Sequence, residues 1–107
     1  MKIREEITNN GRAVFYASIW PDLRDAALNV GWALGLHGSL KSDMDIMAMP
    51  WTEEAVNPLE MILALKKCFV RHDEMIVMEV NKPNNRKVYM LLIWADFYLD
   101  INIINTR

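Results

Sequence analysis

Two aspartates one residue apart follow a glycine-serine turn in the segment His37-Gly38-Ser39-Leu40-Lys41-Ser42-Asp43-Met44-Asp45-Ile46. Because successive side chains of a β-strand point to opposite faces, Asp43 and Asp45 would share one face while Met44 points into the core. Two carboxylates held that closely repel by roughly 3 kcal/mol at an effective dielectric constant near 20. Protonation of one group or binding of a cation removes this cost. The spacing therefore predicts a site for a divalent metal ion.

A third candidate acid, Asp100, lies in an apolar segment near the end of the chain. In a strand over residues 97–104, its side chain would share a face with Tyr98 and Asn102, and the apolar residues would take the opposite face. A buried carboxylate without a partner is costly, so Asp100 favours the hypothesis of one shared polar site. Two alternatives remain open: this strand face is exposed, or Asp43 and Asp45 are solvated turn residues.

Helical segments lie on both sides of the aspartate pair in the sequence. Between residues 21 and 30, apolar side chains recur at i, i+3, i+4 and i+7, which predicts a helix with one buried stripe: Leu23, Ala26, Ala27 and Val30. Residues 12–20 form an earlier helical piece that Pro21 either breaks or kinks, because proline has no amide hydrogen. The segment Asn57-Pro58-Leu59-Glu60 offers an N-cap, a proline at N1 and a glutamate at N3. A further helix is therefore predicted from there to about residue 69.

The other apolar segments have the character of strands. Residues 32–36 and 43–49 are predicted to form a hairpin whose turn precedes the aspartates. The last third of the chain is predicted to form three consecutive strands, a meander, over residues 75–80, 87–94 and 97–104. These methionine-rich apolar strands also offer a surface for pairing in a homodimer.

Length and composition indicate one compact domain over residues 1–107, since a second core is not expected in a chain this short. The net charge of −2 provides no global attraction to nucleic acid or to anionic lipid. The single cysteine cannot form an intrachain disulfide, which fits a reducing cytoplasm. No apolar run reaches the roughly 18 residues of a membrane helix, and the first ten residues do not have the pattern of a signal peptide. We therefore expect a cytoplasmic protein without a membrane partner.

The order of these features resembles that of nucleotidyltransferases of the polymerase-β type: a strand, Gly38-Ser39, a short turn, an Asp-x-Asp pair on the next strand and one more aspartate on a later strand. The stretch 29–52 resembles more closely a family of small, mostly uncharacterised phage and prophage proteins. The matching features are Gly31, His37-Gly38-Ser39, Asp43-Met44-Asp45, Pro50-Trp51-Thr52 and the terminal Tyr98-Leu99-Asp100. The strong part of this resemblance covers roughly a quarter of the chain.

The resemblance implies an α+β fold in which a small mixed β-sheet is flanked by two or three helices. It also implies that Asp43, Asp45 and Asp100 surround one or two Mg²⁺ or Mn²⁺ ions, which suits in-line phosphoryl displacement. Gly38 would let the backbone approach a phosphate, and the hydroxyl and amide of Ser39 would bind its oxygens. The remaining phosphate- and nucleotide-binding candidates are the turn residues Lys41, as a point charge, and Ser42.

One departure from the superfamily bears on function. Only Leu40, Lys41 and Ser42 separate Gly38-Ser39 from the aspartates, where the superfamily usually has a longer segment. The shorter turn brings fewer donors to a triphosphate, so three hypotheses remain open. The first is a metal-dependent transfer of a nucleoside monophosphate from an NTP to an unidentified acceptor, with Asp100 helping to orient or deprotonate the acceptor hydroxyl. The second is an inactive phage-encoded module that docks on a host defence protein and inhibits it, and the third is a toxin-antitoxin component.

Three further residues are interpreted as structural rather than catalytic. A lone histidine at a strand end is usually packed with its ring satisfied, so His37 is not assigned a catalytic role. Trp51 and Trp94 are expected to pack in a core or an interface, because aromatic side chains bury large apolar areas.

Overall fold

The structure is a computed structural model that describes the backbone of residues 3–38, 40, 43–84, 86–94 and 97–104. Side-chain surroundings are described from Gly11 onward within these ranges, apart from Trp94. The predicted phosphate-binding residues Ser39, Lys41 and Ser42 lie outside the described residues. The elements are α1 (Ile3–Asn29), β1 (Trp32–His37), β2 (Met44–Pro50), α2 (Pro58–Lys66), a short 3-10 helix (His72–Glu74), β3 (Ile76–Lys82), β4 (Arg86–Trp94) and β5 (Phe97–Ile103).

The described strands form one mixed sheet in the order β1-β2-β5-β4-β3. Strands β1 and β2 form the predicted antiparallel hairpin, and β3, β4 and β5 form the predicted meander. After β4, the chain returns to the middle of the sheet, where β5 pairs in parallel with β2. The predicted α+β class with a small mixed sheet and flanking helices is therefore confirmed.

The core lies on one face of this sheet, beneath the two α-helices. In β2 the side chains of Met44, Ile46 and Ala48 are buried and alternate with more exposed ones. In β5 the buried positions are Leu99, Ile101 and Ile103, and the helices contribute Tyr16, Leu23, Ala27, Met61, Ile62 and Leu65 to the same cluster. The other face, here called the open face, carries Asp45 and Met47 from β2 and Asp100 and Asn102 from β5. Strand alternation thus separates an apolar core from a face that carries the acids.

Helix α1 runs without interruption through Pro21, so of the two predicted alternatives a break is excluded. Tyr16, Leu23 and Ala27 are each 0% exposed and lie on one helical stripe across the proline. Pro21 itself is exposed. Burial of this stripe holds both halves of the helix against the sheet, which compensates for the hydrogen bond that proline cannot donate.

Helix α2 begins with the predicted cap. The side chain of Asn57 accepts a hydrogen bond from the Glu60 amide at 2.9 Å, and Asn57 Nδ2 donates to Glu60 Oε1 at 3.0 Å. The helix ends at Lys66, earlier than predicted. Beyond it, the amides of Cys68 and Phe69 donate to carbonyls three residues earlier, which is the tighter geometry of a helix end.

Three residues that contribute to the family resemblance, Gly31, Trp51 and Thr52, lie at the end of the β1–β2 hairpin away from the aspartates. Gly31 has φ +86°, and a Cβ at this position would lie 2.6 Å from Thr52 Oγ1 and 2.7 Å from Ala55 Cα. The Gly31 carbonyl accepts hydrogen bonds from the amides of Trp51 and Thr52 at 2.8 and 3.2 Å. Gly31 and the Trp51-Thr52 pair therefore join α1 to the far end of β2, a structural role that requires glycine.

Candidate functional site

Asp45 and Asp100 are direct neighbours in the sheet. They are register partners on the parallel strands β2 and β5, so their side chains leave the sheet on the same open face. Neighbouring strands lie about 4.8 Å apart, which brings the two carboxylates within reach of one ion. The structure thus brings together the two strand aspartates that the sequence predicted to share a site.

Asp43 joins this pair from the bend that precedes β2. Burial raises the pKa of Asp100 from 3.8 to about 6, and the charge of Asp43, a hydrogen bond with the Asp43 carboxyl and the charge of Asp45 add to the rise. The charge of Lys82 acts in the opposite direction. The raised pKa of Asp100 is therefore due first to burial and then to its two acidic neighbours, Asp43 and Asp45.

The Oδ1 atom of Asp100 supports a cation at this position. It is buried and has no hydrogen-bond partner among the described residues. An unsatisfied buried acceptor costs about 1–3 kcal/mol, and a cation between Asp45 and Asp100 would satisfy it. Within the described residues, no three acidic, histidine or cysteine side chains are already arranged as a metal cage. Mg²⁺ does not need one, because it usually takes one or two carboxylates and completes its shell with water and substrate phosphates.

Gly38 lies directly against this carboxylate cluster. Its φ is +84°, and a Cβ built on it would lie 2.9 Å from Asp45 Oδ2. Glycine is therefore required both for the backbone conformation and for the space beside Asp45. Leu40, the next described residue, also has positive φ, at +61°. Gly38 and Leu40 thus both have the left-handed backbone conformation that is common in tight turns.

Sequence analysis missed two features of the site. His37 was expected to be packed, but it is exposed. It is the register partner of Asp45 in the antiparallel β1–β2 pair, so its side chain lies on the open face beside that aspartate. Its place next to Gly38 in the hairpin was the signal that could have indicated this. The second feature is Tyr16 of α1, whose hydroxyl accepts a hydrogen bond from the Tyr98 amide at 3.2 Å.

Trp51 lies away from the carboxylates. It was expected to pack in a core or an interface; it does not pack in the core, since 66% of it is exposed. It follows the end of β2 opposite to Asp45, and the length of the strand places the two residues about 20 Å apart. The side chain of Trp94 lies outside the described residues.

A mixed sheet with aspartates on two adjacent central strands, and with a glycine turn beside them, has the arrangement of a nucleotidyltransferase-like α+β fold. A comparison with solved structures finds the same fold in a cytoplasmic RNA terminal U-transferase, with a TM-score of 0.58 and 17% sequence identity. The match covers 92% of this chain and 32% of that chain, so this chain spans about a third of the length of that protein. No family model and no curated protein matches the sequence.

Neither α-helix in the described part of the chain combines the length and the hydropathy that crossing a bilayer requires.

Proposed function

We propose that this chain binds a nucleoside triphosphate together with Mg²⁺ or Mn²⁺ and transfers the nucleoside monophosphate to a hydroxyl acceptor. The observation that carries the proposal is the register pair of Asp45 and Asp100 on the open face, together with the buried Oδ1 of Asp100, which has no hydrogen-bond partner among the described residues. The nucleotidyltransferase-like fold supports it. The resemblance to phage and prophage proteins further suggests a phage-encoded, single-domain protein that acts in the host cytoplasm.

Each residue of the site has a role that its position suits. Asp45 and Asp100, with Asp43 beside them, would hold the cation, which when bound neutralises phosphate charge and polarises the reacting phosphorus. Gly38 leaves room for a phosphate oxygen next to Asp45, and Ser39, Lys41 and Ser42 are proposed to bind the remaining phosphates.

The transfer is a single displacement at the α-phosphorus. The acceptor oxygen forms a bond to this phosphorus while the bond to the bridging oxygen breaks and pyrophosphate leaves. The acceptor's proton passes to the carboxylate of Asp100, which lies on the open face.

The direct test is pyrophosphate release from each of the four NTPs with Mg²⁺ or Mn²⁺, in the presence of RNA or protein acceptors. Asp45→Asn should abolish the signal. Asp73→Asn is the matched control, since the Asp73 side chain is 93% exposed in the short 3-10 helix and should leave activity unchanged. Wild-type protein that neither releases pyrophosphate nor binds an NTP would contradict the enzymatic proposal.

A second candidate function is a binding module without turnover, and the apolar part of the open face favours it. The exposed side chains of Met47, Met78 and Ile76 lie on the same face as the carboxylates. A shallow groove of about 200 Å³ includes Met47 and is lined by Ala33, Leu34, Gly35, Met47, Met49 and Ile104. Methionine-rich surfaces adapt to varied partners. In this proposal a host defence protein places basic residues against the acids, or a second copy pairs along the exposed edge strand β3.

The two functions differ in what Met47→Asp should do. This variant changes the apolar part of the open face and leaves the carboxylates in place. It should weaken a complex with a host protein or a homodimer, and it should leave binding of metal and NTP intact. A purified protein that remains monomeric and captures no host partner would count against the binding module.

A further inference from the structure

Tyr16 connects helix α1 to the strand that carries Asp100. Its side chain is fully buried, and its hydroxyl accepts a hydrogen bond from the Tyr98 amide at 3.2 Å. Tyr98 precedes Asp100 by two positions, so both side chains lie on the same face of β5. The helix therefore holds the backbone of β5 at the point where the strand enters the carboxylate site.

The sheet leaves this amide without a partner on the β2 side. The pairing of β2 with β5 begins at Met44 and Leu99, and the chain before Met44 bends away at Asp43. Beyond that point β2 does not run beside Tyr98. Because partly buried backbone amides require an acceptor, the Tyr16 hydroxyl takes the place of the missing strand.

Further contacts fix the position of this hydroxyl. Arg12, one helical turn before Tyr16, donates a hydrogen bond to it, and the Arg12 guanidinium also lies 4.2 Å from the centre of the Phe97 ring. The ring centres of Tyr16 and Phe97 are 5.7 Å apart, and Phe15 packs against both rings. The Arg12 guanidinium and the aromatic packing therefore hold the Tyr16 hydroxyl in place from the side of helix α1.

The same hydroxyl is within electrostatic range of Asp43. Burial raises the pKa of Tyr16 above its ordinary value, and the charge of Asp43 adds to the rise. One buried group therefore contacts the start of β5 and interacts with the charge of Asp43, which lies in the bend before β2. These are the two chain segments whose relative position determines how the three carboxylates meet.

We propose that Tyr16 is a positioning residue for the carboxylate site: its hydroxyl fixes the start of β5 and so holds Asp100 beside Asp43 and Asp45. This inference rests on the proposed metal-dependent function. When a hydrogen bond that orients a metal ligand is removed, metal affinity typically falls by about 10–100-fold. Tyr16→Phe keeps the packed ring and removes only the oxygen, so we expect Mn²⁺ affinity to fall about tenfold in the folded variant.

The test is calorimetric titration of Mn²⁺ into wild-type protein and three variants, after circular dichroism has shown that each is folded. Tyr89→Phe is the matched control, because Tyr89 is 4% exposed and lies on the core side of β4 opposite Ile101. It should bind Mn²⁺ like the wild type. Phe15→Leu disturbs the ring packing and keeps the hydroxyl, so it should weaken binding less than Tyr16→Phe does.

The outcomes are distinct. Weaker Mn²⁺ binding by Tyr16→Phe, with Tyr89→Phe unchanged, supports the positioning role. Equal affinity of Tyr16→Phe and wild type, or an equal loss in Phe15→Leu and Tyr16→Phe, overturns it. Failure of the wild type itself to bind Mn²⁺ overturns the proposed metal-dependent function, and the positioning role with it.

Discussion

Asp45 and Asp100 are register partners on parallel strands, although they come from different halves of the chain. Their meeting depends on the return of the chain from the β3–β4 hairpin to the middle of the sheet. Parallel pairing in register places both side chains on the open face, while Ile46 and Ile101 beside them enter the core. A pair of like charges at the centre of a sheet destabilises the fold unless a proton or a cation compensates for it.

The stability of the cation-free protein should depend on pH through Asp100. The folded-state pKa of Asp100 is raised to about 6 from 3.8. A raised carboxyl pKa means that the folded state binds the proton more tightly, so the free energy of unfolding falls as pH rises between these values and is then constant. Asp100→Asn should remove this fall and be more stable near pH 8 by about 1 kcal/mol, allowing for solvent screening of a partly exposed group.

Urea unfolding in the presence of EDTA, measured from pH 4 to pH 8, checks this prediction. Glu54→Gln serves as the control, since Glu54 is exposed and follows the end of β2 opposite to Asp45. Parallel pH profiles for wild type and Asp100→Asn would contradict the raised pKa of Asp100.

Gly38→Ala should damage the site. The new methyl group would lie 2.9 Å from Asp45 Oδ2, and alanine would have to adopt a φ of +84°. We expect a loss of about 1 kcal/mol in the free energy of unfolding, from the backbone conformation alone, and weaker Mn²⁺ binding. Gly35→Ala in β1 is the control, because no described atom lies within 4 Å of its Cβ position and its φ is not positive. If both variants bind Mn²⁺ equally, the contact of Gly38 with Asp45 has no part in the site.

Two further glycines should respond in opposite directions. Gly31→Ala places a methyl group 2.7 Å from Ala55 Cα and requires alanine to adopt a positive φ. It should lower the free energy of unfolding by at least about 2 kcal/mol, which is within the range for overpacked sites. Gly11→Ala, in helix α1 with no described atom within 4 Å, should stabilise the protein by about 1 kcal/mol. Thermal unfolding of both variants measures the difference. A stable Gly31→Ala protein would show that the junction between α1 and β2 can relax.

The pattern of apolar and polar residues predicted much of this fold because it records which face of each element is buried. The hairpin, the meander, the Asn57 cap and the shared face of Tyr98, Asp100 and Asn102 follow from alternation and capping. The pattern does not record which strands pair, so the parallel contact of β2 with β5 emerges only in three dimensions.

The same distinction applies to the site residues: some are evident from the sequence, and others only from the tertiary structure. Asp45 and Asp100 interrupt apolar strands, so the sequence alone singles them out as candidates. Tyr16 has the spacing of an ordinary core residue of α1, and the partner of its hydroxyl is set by tertiary structure. His37 was expected to be packed, but β1 is an edge strand and leaves it exposed.

The most direct test of the central claim is a calorimetric Mn²⁺ titration of wild type, Asp45→Asn, Asp100→Asn and the double variant. If the two aspartates hold one ion, the wild type binds Mn²⁺, each single variant loses most of the affinity, and the double variant loses little more, because ligands of one site are not additive. Wild-type protein that binds no Mn²⁺, or single variants that bind it as tightly as the wild type, would contradict the account.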